Sequence, residues 1–524
     1  MASGATSGAT VGGRRRKNSV VIVGAGLGGL AAAIRLGAAG VDVTVLEREA
    51  VPGGRAGRIW RDGYAFDTGP TVLTMPSLLE DLFAVAGEDL GDHLQLERLD
   101  PAYRAVFHDG SVLWVRAGLD AMAAEVRDLC GAQEAGRLRR LADHLRLLYE
   151  TEFPDFIDRN FDSPLDLARR PGPLLRLTRL GGFRRMHGLV TSFLSDWRLI
   201  RLFTFQAMYA GMSPFEALGI YAVIPYMDTI AGVFFPRGGI HAVSQALADL
   251  AVRLGVDLRL GEPVEAVEVA EGRAVAVRTA GGERVAADVV VLNPDLPVAY
   301  RDLLPPRTTP HRVRRLRYSP SCVVVHLGLN RTLKDAAHHN IHFAADYKAS
   351  FDDLLAGRMQ RDPSWFLTVP TRSDPDMAPP GGDVAFSLLP VPNLQRGRRV
   401  GPGSWDPARE REAAAARMEA AGYGPVPEAT VTCSVVTPTD WARMGMAAGT
   451  PFAASHHFFQ TGPFRPANVA PKVGGVVFVG SGTTPGVGVP MVLVSGRLAA
   501  ERALGMITMD EAGHEAITGG LRSP

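Results

Sequence analysis

Apolar residues in this chain fall into short unbroken runs and longer stretches of helical spacing, and the two patterns predict different elements. Ser19–Val23 is a β-branched run, and residues 41–47 form a second; such runs between turn residues predict buried strands. Between them apolar positions repeat at helical spacing from about residue 27 to 39, with Gly40 placed to end the helix. The three together predict one β-α-β unit. Residues 119–148 combine helical spacing with many charges and predict solvent-facing helices, and 154–173 is broken by prolines. The stretch 199–235 differs. It is rich in Phe, Tyr, Met and Leu, and between Leu202 and Phe235 only Glu216 and Asp228 are charged. After a turn at 236–239, residues 240–254 predict a helix. Residues 256–260, 264–269, 274–279, 285–291 and 318–329 predict strands. Residues 370–409 read as loop, 409–421 as a polar helix, 476–480 as the last strand, and about 490–504 as the last helix.

Composition narrows the class. The chain has 524 residues, 46% hydrophobic and 21% charged, which is globular in character and long enough for several domain-sized units. Its 56 basic and 55 acidic residues leave a net charge of +1, which excludes the strongly basic balance of a nucleic-acid binder. Three cysteines, Cys130, Cys322 and Cys433, lie far apart, so neither a disulfide framework nor a thiolate metal site is expected, and a reducing cytoplasm fits. Residues 1–17 read as a floppy tail. The apolar run after them carries Gly24, Gly26, Gly28 and Gly29 and continues into helix and strand, unlike a secretory signal. Residues 473–496 carry no charge over a length that could cross a bilayer. They also hold seven glycines with Pro485 and Pro490, so a buried strand, a turn and a helix start are expected there instead of a transmembrane helix.

The first unit carries the clearest chemistry. Gly24-Ala25-Gly26-Leu-Gly28-Gly29 follows a strand and opens a helix, and Glu47 ends the next strand 18 residues past Gly29. In such a unit one glycine makes the tight turn, one lets backbone approach a pyrophosphate, and one lets helix pack on strand. The helix N-terminus offers free N–H groups and partial positive charge to the phosphates. Glu47 can accept from both ribose hydroxyls and disfavours a 2′-phosphate. Beyond it, Gly53-Gly54-Arg55 follows directly, then Phe66-Asp67-Thr68-Gly69-Pro70-Thr71. Near the end, Gly480-Ser481-Gly482 and Gly486-Val487-Gly488-Val489-Pro490 lie between a strand and a helix. Such a helix N-terminus would stabilise negative charge on a bound group.

This pattern resembles the FAD-binding amine-oxidase and carotenoid-desaturase superfamily. Asp67-Thr-Gly-Pro-Thr-Val-Leu-Thr-Met, Phe234-Phe-Pro-Arg-Gly-Gly239, Gly449-Thr-Pro-Phe, Thr461-Gly-Pro-Phe-Arg-Pro466 and Gly486–Pro490 sharpen it. In that order they look like bacterial and fungal-type phytoene desaturases, from about residue 18 to about residue 505. The resemblance implies an α/β fold: a Rossmann-like FAD-binding domain, an inserted α+β substrate domain, and a helical apolar membrane-associating subdomain. The expected division is 1–17 tail, 18–118 FAD-binding, 119–235 helical substrate and membrane subdomain, 236–310 FAD-binding, 311–464 substrate-binding, and 465–524 FAD-binding with a C-terminal tail. Ala25, Arg48 and Val264 complete the expected cofactor-binding set. Many relatives carry an acid where this chain has Ser481.

The implied activity is dehydrogenation of a long polyene, by loss of a hydride to the flavin and a proton from the neighbouring carbon. Electrons would pass on to quinone or oxygen, since no second strand–GxGxxG–helix unit offers an NAD(P)H site. The implied location is cytoplasmic and peripheral to the membrane, because the substrate resides there. Phe203, Phe205, Met208, Tyr209, Met212, Phe215, Tyr221 and Tyr226 are candidate linings of an apolar channel, and ordinary core is the competing reading of each. Asp166 and Arg169 stand in a D-x-x-R where relatives carry charged residues, and are the acid–base candidates; an i,i+3 surface ion pair is the alternative. His338, His339, His342, His456 and His457 read as solvated or core histidines, not a metal site. A later carotenoid enzyme (a 3,4-desaturase, ketolase or isomerase), a soluble amine oxidase and a non-catalytic flavoprotein are the other readings. Oligomeric state is left open.

Overall fold

The computed structural model describes residues 18–167, 169–396 and 405–519; the expected tail at 1–17 lies outside them. Strand β1 (Ser19–Val23), helix α1 (Leu27–Ala38) and strand β2 (Asp42–Glu47) form the expected β-α-β unit. Its strands belong to a five-stranded parallel sheet in the order Val476–Phe478, Val289–Leu292, β1, β2, Asp257–Leu260. Apart from the edge strand Asp257–Leu260, most side chains on both faces are buried, as the unbroken apolar runs require. Helix α1 and the C-terminal helix Val489–Gly519 cover one face together. They can cross closely because Gly496 lies against Ala31 and the Gly28 carbonyl, where a Cβ would stand 2.6 Å from Ala31 Cβ.

The second large unit is a seven-stranded sheet in the order Thr430–Val436, Ser321–Leu329, Asp383–Val391, Trp365–Thr368, His339–His342, Tyr103–Val106, Val112–Val115. All its pairs are antiparallel except His339–His342 with Tyr103–Val106. A three-stranded antiparallel sheet, Val264–Ala270, Arg273–Thr279 and Arg284–Ala286, packs beside the parallel sheet. Residues 205–230 form short 3-10, α and π turns, and Phe234–Pro236 is a short strand paired with Leu96–Arg98.

Several expectations are corrected. Residues 285–291 are two strands, not one: Asp288 accepts from Ser19 N at 2.8 Å, and there the chain leaves the small sheet for the parallel one. The stretch 370–409 is not loop throughout, because Asp383–Val391 is a nearly continuous apolar strand inside the seven-stranded sheet; residues 397–404 lie outside the described residues. Within 18–118, strands Tyr103–Val106 and Val112–Val115 belong to the seven-stranded sheet, Tyr103–Val106 pairing with His339–His342 and Val112–Val115 with Tyr103–Val106. Helices Leu119–Cys130 and Ala132–Glu152 each bury a face, through Met122 and Val126 and through Leu138, Leu141, Leu145 and Leu148, so they are amphipathic and not simply solvent-facing. Among the described residues no helix is long and apolar enough to cross a membrane.

Candidate functional site

A cavity of about 1220 Å³ opens against the C-terminal ends of the parallel strands. Gly24, Gly26, Gly28, Glu47, Arg48, Gly53, Gly54, Arg55, Gly69, Pro70, Thr71, Val264, Gly480, Ser481, Gly488, Val489 and Pro490 all line it. Ala25 and Gly29 are buried against the same wall. The turn after β1 needs glycine on geometric grounds: Gly24 has φ +101°, and a Cβ on Gly29 would overlap the Gly24 carbonyl oxygen. Gly26 caps α1 without a side chain, so no side chain covers the first-turn N–H groups. Glu47 is buried and held by backbone: its Oε2 accepts from Ala25 N at 2.6 Å and its Oε1 from Glu49 N at 3.0 Å. Lone pairs on both oxygens remain for a ligand's hydroxyls.

Contacts far apart in sequence stitch the motifs together. The Arg55 guanidinium donates to Ser481 Oγ and to Asp295 Oδ1, the latter at 2.5 Å, and Asp295 Oδ2 accepts from Ala447 N at 3.0 Å. Arg55 is therefore a cavity-wall residue and not a surface one. Asn293 donates from Nδ2 to the Gly24 carbonyl at 3.3 Å and packs against Gly26 and Gly480. Asp67 accepts from Ile240 N at 2.7 Å and His241 N at 3.2 Å, capping helix His241–Arg253 and joining two of the motifs. Burial pushes the Asp67 carboxyl up, against the opposing pull of Arg58 and those N–H groups. Arg48 reaches the rim and donates to the Met444 carbonyl at 2.6 Å. Asn293 and Asp295 escaped the sequence reading; an Asn-Pro-Asp turn after a strand carries no signal of its own.

Away from the glycines the same cavity turns apolar. Of the eight aromatic and Met candidates, Phe205, Met208, Tyr209 and Tyr221 line it. Phe203 and Met212 are buried in the core, Phe215 lines a smaller cleft, and Tyr226 packs against Tyr149. Phe343, Phe366 and Phe386 from the seven-stranded sheet complete the far wall. Asp166 and Arg169 are not brought to the cavity. They form an ion pair at 2.9 Å with Arg169 80% exposed, and Asp166 Oδ2 accepts from Asp162 N and Ser163 N, which holds its carboxyl below the usual range. That arrangement caps a surface turn. His338, His339, His342 and His456 are buried and His457 is half-buried.

The sequence profile of the flavin containing amine oxidoreductase family matches residues 27–504. A phytoene dehydrogenase of Streptomyces griseus is 51% identical over 93% of this chain and 95% of its own length. A zeta-carotene-forming phytoene desaturase of Myxococcus xanthus is 40% identical over 93% of each. This chain belongs to the flavin containing amine oxidoreductases. It is an FAD-dependent oxidoreductase. Among solved structures, cyclohexylamine oxidase from Brevibacterium oxydans superimposes with a TM-score of 0.57 at 17% identity, covering 94% of this chain and all of that one. The likeness fixes the fold as that of the amine-oxidase-like flavoenzymes. The glycine wall fits the cofactor: bare backbone, an uncapped helix N-terminus and Arg55 suit a pyrophosphate, and Glu47 suits a ribose.

Proposed function

We propose that this flavoenzyme dehydrogenates phytoene or a closely related C40 polyene in carotenoid biosynthesis. The observation that carries the reading is the continuity of one cavity, from the glycine wall to a region enclosed by Phe205, Met208, Phe343 and Phe366. A hydrocarbon offers no polar handle, so shape and apolar contact must hold it. The relatives' names agree with that chemistry.

FAD, when bound, supplies the two-electron oxidation. Glu47 would hold the ribose hydroxyls, and the first turn of α1 together with Arg55 would face the phosphates. The aromatic walls align the polyene and exclude water. A quinone or oxygen would take up the electrons. Residues 119–235 with the seven-stranded sheet serve as the substrate side, and the parallel sheet with its helices as the cofactor side.

Docking on a membrane surface belongs to the same proposal. Leu165, Leu175, Phe183, Phe458 and Phe459 are exposed, the turn 164–167 packs on the turn 462–464, and Leu174, Phe183 and Phe458 continue into the cavity lining. Exposed Arg176 and Arg179 flank that mouth.

The test is expression in a heterologous host supplied with phytoene-forming enzymes, followed by pigment extraction, absorption spectra and mass. A coloured polyene missing from the empty-vector control is expected, and its chromophore length gives the number of steps. Unchanged phytoene beside FAD-loaded protein overturns the reading in favour of a later carotenoid or an amine.

A further inference from the structure

Removing hydrogen from a saturated C–C bond of a polyene takes away a hydride and a proton, and the proton needs an acceptor. Asp166 lies outside the cavity, so the acceptor is sought among the acids that line it. Glu47 is held by the N–H groups of Ala25 and Glu49. Glu49 is exposed beside Arg48, and Asp302 beside Arg301. Asp295 is spent on Arg55. Two buried acids remain, Glu152 and Asp228.

Their surroundings differ. Glu152 is 7% exposed, its Oε2 has no hydrogen-bond partner, and burial alone drives its carboxyl well above the usual range, so it stays protonated and cannot accept. Asp228 is 2% exposed, and three donors meet its carboxylate. Thr229 Oγ1 lies 2.6 Å and Gln206 Nε2 3.3 Å from Oδ1, while the Tyr103 hydroxyl lies 3.4 Å from Oδ2. Those donors stabilise the anion against burial, which still pushes the group up to about 7. The Tyr103 hydroxyl is also within reach of Tyr209, a cavity-lining residue. Both phenols are pushed up by burial and stay neutral.

The cluster also sits on segments anchored to the cofactor wall. Tyr209 precedes Ala210, whose carbonyl accepts from His456 Nδ1 at 3.0 Å, and the His456 ring fills the space against Gly486. Phe234, six residues past Asp228, donates from its N to the Leu73 carbonyl at 2.8 Å, two residues after Thr71. His456 itself is a poor acceptor. Burial and the nearby Arg465 hold it neutral, and charging it would set two cations side by side.

We infer that Asp228 is the proton acceptor of the dehydrogenation, an assignment that rests on the proposed polyene chemistry. One carbon loses hydride, with its bonding pair, to FAD. The neighbouring carbon loses a proton to the Asp228 carboxylate, and the electron pair of that C–H bond becomes the new π bond. The carboxylate also opposes the positive charge that spreads along the polyene in between.

The test compares the wild-type holoenzyme with Asp228→Asn and Asp228→Glu. Two measurements are made: anaerobic flavin reduction by phytoene in micelles, and binding of N,N-dimethyldodecylammonium at about pH 8, where the amine is cationic. D228N is expected to keep its FAD, to slow flavin reduction by about 100-fold or more, and to bind the ammonium at least about tenfold more weakly. D228E is expected to recover part of the rate, which a packing role would not allow. D228N reducing its flavin at the wild-type rate, or binding the ammonium as tightly, overturns the assignment. If the wild type is not reduced by phytoene, the polyene reading is what fails, and the ammonium comparison alone decides Asp228. Should D228N not load FAD, Asp228→Ser takes its place in both measurements.

Discussion

At the glycine-lined end of the cavity much of the wall is main chain: Gly24 at φ +101°, the glycine turns at 53–54 and 480–488, and the Glu47 carboxylate clamped by two backbone N–H groups. At the other end the wall is side chains, Phe205 and Met208 on a short 3-10 turn and Phe343 and Phe366 at the seven-stranded sheet. A wall of main chain tolerates no added atom, because backbone cannot move aside. A wall of apolar side chains tolerates exchange at constant volume. The cofactor end is therefore fixed position by position, and the substrate end only in its sum.

The largest expected effect breaks the first half of that contrast. Gly29→Ala pushes a Cβ into the Gly24 carbonyl oxygen. It should lower FAD affinity by about 100-fold or more, near 3 kcal/mol, read as FAD content after gel filtration. Met208→Leu on the apolar wall conserves volume and should leave FAD content unchanged, costing less than about 1.5 kcal/mol. Equal losses of FAD in the two variants would remove the distinction.

A smaller effect sharpens it. Arg55 links the Gly53-Gly54 turn to Asp295, whose side chain is 3% exposed. Arg55→Met leaves that carboxylate buried without its cation, at a cost of about 3 kcal/mol in urea unfolding of the apoprotein. Adding Asp295→Asn should return most of that stability while FAD binding stays weak, since Arg55 is also lost to the phosphates. A double variant no more stable than the single one would mean that the pair does not hold the wall.

The same contrast decides how much was legible beforehand. Gly24, Gly29 and Glu47 announce themselves because the turn, helix and strand that place them are contiguous. Asn293 acts on that turn and Asp295 on Arg55 from the end of the neighbouring strand, far along the chain from Gly24, so no local spacing reports them. Strand Asp383–Val391 was hidden by the prolines and glycines around it, since its partners Ser321–Leu329 and Trp365–Thr368 supply the order that local sequence lacks. Asp166 drew attention through its spacing to Arg169, which is the spacing of a surface ion pair. Asp228 was visible only as one of two charges in an apolar run, and its meaning depends on Gln206, Thr229 and Tyr103 converging on it.

The smallest expected effect separates the two ends by pH. Residues 19–47, which build β1, α1 and β2, contain no histidine. The seven-stranded sheet and its flank bury several. His338 meets Phe235 edge-on with ring centroids 4.4 Å apart, its Nδ1 lies 2.8 Å from Ser373 Oγ, its Nε2 has no partner, and burial holds the imidazole down to about 3. A histidine whose folded pKa lies below its unfolded value binds fewer protons when folded. Its contribution is complete above about pH 6.5 and is lost as the pH falls toward the folded value. At about pH 5.5 that loss is roughly 1 kcal/mol for one such residue. His338→Asn keeps a polar atom near Ser373 and cannot titrate, so its stability should fall less than that of wild type between about pH 7.5 and 5.5. Hydrogen exchange should show the strands Asp383–Val391 and His339–His342 losing protection in that window before β1 and β2 do. Equal slopes for the two proteins, or simultaneous loss across both sheets, would place the acid sensitivity elsewhere in the chain.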